Sequence, residues 1–227
     1  MVEFAAEKVW AETMIELVAK VAAAYTLGSV MGGLLVGRLA GGVDVRAVGS
    51  RSAGTTNVLR TLGLRYAVPA LLIDLLKGYL AVALIAVLPW PGGGGASPGA
   101  DTLAVLCAAA AALGHVYPLW HGFRGGKAAA TLLGSMLALF PLAVAPALAV
   151  WVVCLLVTGY VGLSTMLAGA SAVVVIAVAH PPGLASPLGA FVVFMAAFLV
   201  FTHRANIARM AAGSENRFDT RKLFRRG

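Results

Sequence analysis

The chain has 227 residues, 60% of them apolar and 11% charged, with a net charge of +8. Soluble domains carry about 25% charged residues, so this composition excludes an ordinary soluble enzyme and points to lipid as the solvent. The bases are segregated by loop rather than spread as a coat, which argues against nucleic acid as a partner and for topology and anion binding.

The first apolar segment covers about 10–40. Glu3, Glu7, Glu12 and Glu16 precede or open it. That acidity, and the length of the run, predict a retained span rather than a cleavable signal. Gly28, Gly32, Gly33 and Gly37 predict close helix packing through small residues. A second segment, about 66–89, ends at Pro89-Trp90-Pro91 and carries Asp74 and Lys77 on one face. Charges in a span are costly, so an ion pair facing the bundle interior is expected, with substrate contact as the alternative. A third segment covers about 101–117.

The apolar stretch from Ala128 to Val157 would be about 45 Å long as one helix, against a hydrocarbon core of about 30 Å. Phe140-Pro141 is expected to split it into spans at about 128–140 and 142–158, because proline cannot donate to the helix ladder. Two further spans follow at about 163–179 and 187–203. The fold class is therefore all-α integral membrane: seven short transmembrane helices, N-terminus outside and C-terminus cytoplasmic.

Loop charge supports this parity. The inside loops hold Arg46, Arg51, Arg60, Arg65, Arg124, Lys127, Arg204 and Arg209, whereas the outside loops at 90–100 and 180–187 hold no Lys or Arg. Six spans would put the 118–127 loop and the tail on opposite faces. Residues 1–227 are read as one transmembrane domain, with 213–227 a basic tail at the anionic inner leaflet through Arg217, Arg221, Lys222, Arg225 and Arg226. Cys107 and Cys154 lie in apolar runs without metal or redox spacing and read as small buried hydrophobes.

Three polar loops carry the chemistry. The first, Asp44 to Arg60, combines Ser50, Ser52, Thr55, Thr56 and Asn57 with arginines and glycines. Hydroxyls, backbone N–H groups and guanidinium forks together suit a phosphate. A solvated basic loop would explain its arginines but not Ser50, Thr55, Thr56 and Asn57. After Gly54 a short helix can begin, adding positive potential at its N-terminus. The second loop, Gly114 to Lys127, contains His115 and His121 and ends in Gly125-Gly126-Lys127 before a helix. Glycines allow close approach of N–H groups to an anion, and the lysine adds a charge. It is not a P-loop, because Ala128 stands where a magnesium-binding hydroxyl would be. No Cys or carboxylate stands near the two histidines, so no metal and no cofactor are expected. The third loop holds His203, Asn206 and Arg209 at intervals of three, then Gly213-Ser214-Glu215. These suit an anion or carbonyl site, although Arg209 and Glu215 could equally pair with each other.

Neither a nucleophile elbow nor a His-x4-Asp acyltransferase signature is present. Close paired carboxylates are also missing from the loops. The site is rich in phosphate binders and poor in general bases.

In order and spacing, three pieces of the chain resemble the bacterial acyl-phosphate:glycerol-3-phosphate acyltransferases, the PlsY family. They are Gly49-Ser50…Gly54-Thr-Thr-Asn57-Val-Leu-Arg60, Gly114-His115…Pro118…Phe123-Arg-Gly-Gly-Lys127 and His203-Arg-Ala-Asn206…Arg209…Gly213-Ser-Glu215. Gly28-Ser29 and Asp74…Lys77-Gly78 also look like family positions. Departures are Arg51-Ser52 where the family usually has Gly-Asn, Met31 where it has proline, and Tyr160-Val-Gly-Leu-Ser-Thr165, where the family often has another serine near Gly162.

The resemblance implies transfer of a fatty acyl group from acyl phosphate to the sn-1 hydroxyl of glycerol 3-phosphate, with a cytoplasmic site in the bacterial inner membrane. The products would be lysophosphatidic acid and phosphate. On this reading Ser50, Arg60 and Lys127 bind phosphate, and His203 and Asn206 orient the phosphate or polarise the carbonyl. Thr56, Asn57, His115, Gly125, Gly126, Arg209 and Glu215 form the surrounding substrate-binding set. A monomer in membrane lipid is expected. The competing reading is a small transporter of an anionic solute, but an internal repeat and a charged path to the far side are lacking.

Overall fold

The structure, a computed structural model, describes residues 2–91 and 99–218. The described residues form helices and turns without strands. They fall into two compact units, 1–139 and 140–227. The glycine-rich loop at 92–98 and the tail bases Arg221, Lys222, Arg225 and Arg226 lie outside the described residues.

In the first unit, α1 (Val2–Gly28) and α2 (Gly32–Leu39) together make the first apolar segment. The expected single run is interrupted at Ser29–Val30–Met31, because two buried side chains of the next segment satisfy the backbone groups that the break exposes. The short α3 (Thr55–Leu62) begins after Gly54, as the loop chemistry predicts. Next, α4 (Leu64–Leu80) runs into a wider π-helical turn, Ala81–Ala86. Ala86 ends the helical stretch, where carbonyls lack intrahelical partners, and Lys20 donates a 3.0 Å hydrogen bond to the Ala86 carbonyl while pairing with Glu16 at 2.7 Å. The unit is completed by α5 (Ala100–Val116) and α6 (Ala129–Leu139).

Small residues let these helices touch backbone to backbone. A side chain at Gly28 would overlap Ala111, one at Gly32 Ala70, and one at Gly78 Thr131. The glycine spacing of the first segment is therefore packing, as the sequence suggests. Met31, Val36, Val45, Ala53, Val58 and Ala70 form a core cluster that ties α2, the first polar loop, α3 and α4 together.

In the second unit, Phe140-Pro141 ends the preceding helix and opens a 3-10 turn, after which α7 (Val144–Thr158) begins. It packs on α8 (Val161–Ala179), and α8 packs on α9 (Pro187–Thr202). Ser186 caps α9 by accepting from the Gly189 N–H at 2.9 Å, with Pro187 at the first helical position. The last helix does not continue straight. It bends by 53° into α10 (Arg204–Ala211).

Five helical stretches among the described residues are long and apolar enough to cross a membrane: Glu7–Leu39, Leu64–Ala86, Ala100–His121, Pro141–Thr158 and Val161–Ala179. The bent pair Pro187–Thr202 and Arg204–Ala211 makes a sixth if it counts as one span, and Ala129–Leu139 is a shorter apolar helix.

Candidate functional site

Each unit carries one polar constellation. That of the first unit begins with Asn57, which is buried and supplies the inner scaffold of the first loop. Its amide nitrogen donates to the carbonyls of Val45 (2.7 Å), Val48 (3.1 Å) and Ser52 (3.0 Å). Its amide oxygen accepts from the Ser50 N–H at 2.7 Å. The loop is thus wrapped around one side chain, and Asn57 spends its polar groups on loop backbone. Gly49 packs against this amide with φ +58, and Arg51 holds φ +56. That is glycine-like backbone with a side chain on it. Ser50 and Thr56 are half-buried at the rim, and Arg60 is exposed on α3.

Asp44 and Arg46 flank this loop. The Arg46 Nε donates to Asp44 Oδ1 at 3.0 Å and Nη2 to Oδ2 at 2.9 Å, while Nη1 donates to the carbonyls of His121 (2.9 Å) and Arg124 (3.0 Å). The guanidinium beside it holds the Asp44 carboxyl below the usual carboxylate range. Composition makes Arg46 look like one more topology base. An acid two residues before it is the signal for this pairing.

The second loop folds back on the end of α5. The Gly125 N–H donates to the Val116 carbonyl (3.0 Å) and the Gly126 N–H to the His115 carbonyl (3.1 Å). The expectation that these two amides face an anion is therefore corrected: both are spent on protein carbonyls. The glycines matter here for closeness. A side chain at Gly126 would strike the His115 ring, and one at Gly125 the His115 carbonyl. Lys127 follows, half-buried, just before α6.

Beneath lies a buried polar cluster. Asp74 and Lys77 are 1% and 2% exposed and pair at 3.0 Å. Asp74 Oδ1 also accepts from the Gly32 N–H (3.1 Å), and Lys77 Nζ donates to the Val30 carbonyl (2.6 Å). The pair thus supplies partners for the break between α1 and α2, which favours the structural reading of these charges over direct substrate contact. His115 Nδ1 stands 3.2 Å from Thr131 Oγ1 and 3.5 Å from Asp74 Oδ1. Ser29 Oγ accepts from the Leu119 N–H at 3.3 Å, fixing the start of the second loop.

In the second unit, His203 occupies the bend between α9 and α10 and is buried. Its Nδ1–H donates to the Leu199 carbonyl at 2.8 Å, which fixes the orientation of the ring. Asn206 is buried too, and its Nδ2 donates to Glu215 Oε1 at 2.8 Å. Arg209 Nε donates to Glu215 Oε2 at 2.6 Å. The pairing of Arg209 with Glu215 that the sequence left open is realised, and the same carboxylate orients Asn206. A turn at Gly213, φ +67, brings Glu215 back to α10. Arg217, at the start of the tail, donates to Tyr160 Oη at 3.1 Å.

Among the described residues, no three His, Cys, Asp or Glu side chains gather as a metal site would require. The chemistry on offer is cationic and hydrogen-bonding: guanidinium, ammonium, hydroxyl, amide and oriented imidazole.

Comparison with known proteins places most of the chain in one family. A profile of the family described as Glycerol-3-phosphate acyltransferase matches residues 18–213. The glycerol-3-phosphate acyltransferase of Geotalea daltonii is 40% identical over 195 residues, 86% of this chain and 94% of that one. That of Synechococcus sp. is 41% identical over 206 residues, 90% of this chain and 96% of that one. Crystal structures of PlsY (YgiH), an integral membrane glycerol 3-phosphate acyltransferase, are also similar. Its glycerol 3-phosphate form has a TM-score of 0.79 at 32% identity, covering 92% of this chain and 99% of that one. Its lysophosphatidic acid form has a TM-score of 0.76 at 30% identity, covering 92% and 98%.

Proposed function

The chain belongs to the glycerol-3-phosphate acyltransferase family, and from that premise we propose that it transfers a fatty acyl group from acyl phosphate to the sn-1 hydroxyl of glycerol 3-phosphate. The products are lysophosphatidic acid and inorganic phosphate. The observation that carries this reading is the Asn57-centred loop, which holds Ser50 at the rim and leads into α3 with Thr56 and Arg60. It is a cationic, hydroxyl-bearing cradle whose one carboxylate, Asp44, is engaged by Arg46.

Both substrates carry phosphate, so the protein's task is to neutralise and orient. Ser50, Arg60 and Lys127 hold phosphate oxygens. His203 and Asn206 orient phosphate or polarise the acyl carbonyl, each fixed by a hydrogen bond to its own unit. Thr56, Asn57, His115, Gly125, Gly126, Arg209 and Glu215 shape the surroundings. The glycerol hydroxyl attacks the acyl carbon, its proton passes to a substrate phosphate oxygen, and the C–O bond to phosphate breaks. Acyl phosphate is already an activated anhydride, so neither an acyl-enzyme nor a metal is required.

The protein works as a monomer in the bacterial inner membrane, and residues 1–227 act as one transmembrane domain. It crosses with seven spans, the N-terminus outside and the C-terminus cytoplasmic, so that the polar loops face the cytoplasm. Bases in the 41–65, 118–127 and 204–218 segments, and their lack at 180–187, support this orientation.

The test is release of inorganic phosphate from palmitoyl phosphate by the purified protein, with and without glycerol 3-phosphate. Release that depends on glycerol 3-phosphate, matched by lysophosphatidic acid, is expected, with acyl-CoA unable to substitute. Turnover with acyl-CoA instead would overturn the donor assignment. No turnover from a folded sample would overturn the activity.

A further inference from the structure

We propose that Asp44 and Arg46 form a clamp that joins the two polar loops of the first unit and sets the position of Ser50 relative to Lys127. Arg46 is a positioning residue on this reading. The proposal's kinetic consequence rests on the function proposed above, whereas its structural consequence does not.

The geometry of the guanidinium carries the argument. Nε and Nη2 grip the Asp44 carboxylate at 3.0 and 2.9 Å, and Nη1 reaches the carbonyls of His121 and Arg124 at 2.9 and 3.0 Å. An arginine has five N–H donors in a fixed fork, and four are committed here. Arg46 is therefore poorly placed to serve as a phosphate ligand, although it lies between two loops that carry candidate ligands. Asp44 also accepts from the Arg46 backbone N–H at 2.9 Å, so the carboxylate fixes the turn as well as the side chain. Four residues beyond Arg46 stands Ser50, and three beyond Arg124 stands Lys127. Gly122 and Phe123, with φ of +63 and +56, form the tight turn whose carbonyls are gripped on either side. The pair is only partly shielded, with side chains 24% and 48% exposed. Its value thus lies in geometry more than in Coulomb energy. A lysine at 46 would keep the charge but could not reach carboxylate and both carbonyls together.

Hydrogen exchange and steady-state kinetics on Arg46→Ala, Arg46→Lys and Asp44→Asn test the clamp in the full-length protein. In Arg46→Ala, amides of both 44–54 and 118–127 should exchange faster, while those of α5 stay unchanged. The KM for glycerol 3-phosphate should rise about tenfold, the size of one lost charge-assisted contact, with kcat falling less. Arg46→Lys should fail to restore either readout, and adding Asp44→Asn to Arg46→Ala should cost nothing more, because the two act as one unit. Faster exchange confined to 44–54, full rescue by lysine, or an unchanged KM in the folded Arg46→Ala protein would each overturn the clamp. If the unsubstituted protein shows no acyl transfer, the functional reading falls, and the exchange experiment still decides whether the loops are clamped.

Discussion

Lys77 donates a 2.6 Å hydrogen bond to the carbonyl of Val30, across the break between α1 and α2. That bond explains why a lysine belongs inside an apolar segment. Lipid offers no partner for a backbone group freed by a helix break, so the break at Ser29–Met31 depends on Lys77 and Asp74 from the neighbouring segment. Removing one member of a buried pair strands the other charge and costs about 3–5 kcal/mol. Lys77→Met should therefore lower the apparent Tm in detergent by about 6–20 °C. The double variant Lys77→Met, Asp74→Leu removes the lone charge but leaves both the Val30 carbonyl and the Gly32 N–H without partners, so it should not recover the stability of the unsubstituted protein. Full recovery in the double variant would count against this account.

A second prediction concerns Asn57. Its side chain makes four hydrogen bonds to loop backbone. Asn57→Ala leaves those groups unpaired and frees the loop that bears Ser50. We expect kcat/KM to fall by about a hundredfold or more, since orientation in such a site contributes several kcal/mol, while membrane insertion and the helix content by circular dichroism stay normal. Asn57→Asp keeps the acceptor for the Ser50 N–H but loses the donors. It should resemble the alanine variant.

Much of this was legible in the sequence, and the reason is local chemistry. Phe140-Pro141 ends a helix because proline lacks the donor that the ladder needs, and α3 starts after Gly54, a residue type accepted at the N-cap. The glycines of the first segment announce close packing. The break at Ser29–Met31 was not legible, because what stabilises it lies more than forty residues away at Asp74 and Lys77. The Lys20 hydrogen bond to the Ala86 carbonyl at the end of the π turn is likewise a distant contact, and the bend at His203 is not signalled by a proline or glycine. The candidate ligands were readable as residue types. What each side chain spends its hydrogen bonds on, as with Asn57 and the Gly125 and Gly126 amides, emerges only from the folded contacts.

Arg51 supplies a third prediction. Its φ of +56 places a long side chain in the left-handed region, which costs a non-glycine residue about 1 kcal/mol. The family resemblance read from the sequence implies glycine at this position. Arg51→Gly should raise the apparent Tm by about 2–4 °C without loss of activity. A lowered Tm would mean that the exposed guanidinium makes a compensating contact.

Arg60 and Lys127 are expected to contact phosphate directly. Arg60→Ala and Lys127→Ala should each reduce kcat/KM at least about a hundredfold, the scale for deleting a charge-assisted contact to a reacting group. Near-normal turnover by either folded variant would remove that residue from the site. Activity should also survive EDTA, and loss reversed by a divalent cation would refute a metal-free reaction.

Glu215 provides the last prediction, in the second unit. It is buried and accepts from Asn206 Nδ2 at 2.8 Å and from Arg209 Nε at 2.6 Å. One carboxylate therefore orients an amide and holds an arginine. Glu215→Gln keeps the shape but removes the charge that attracts Arg209, and it leaves a single acceptor for two donors. A buried hydrogen bond to a charged group contributes about 1.5–3 kcal/mol, so a drop of about ten- to a hundredfold in kcat/KM is expected, shared with a modest loss of thermal stability. Arg209→Ala should cost less activity than Glu215→Gln, because the carboxylate can still orient Asn206. The reverse order would show that Arg209 touches substrate and that Glu215 serves mainly to position it.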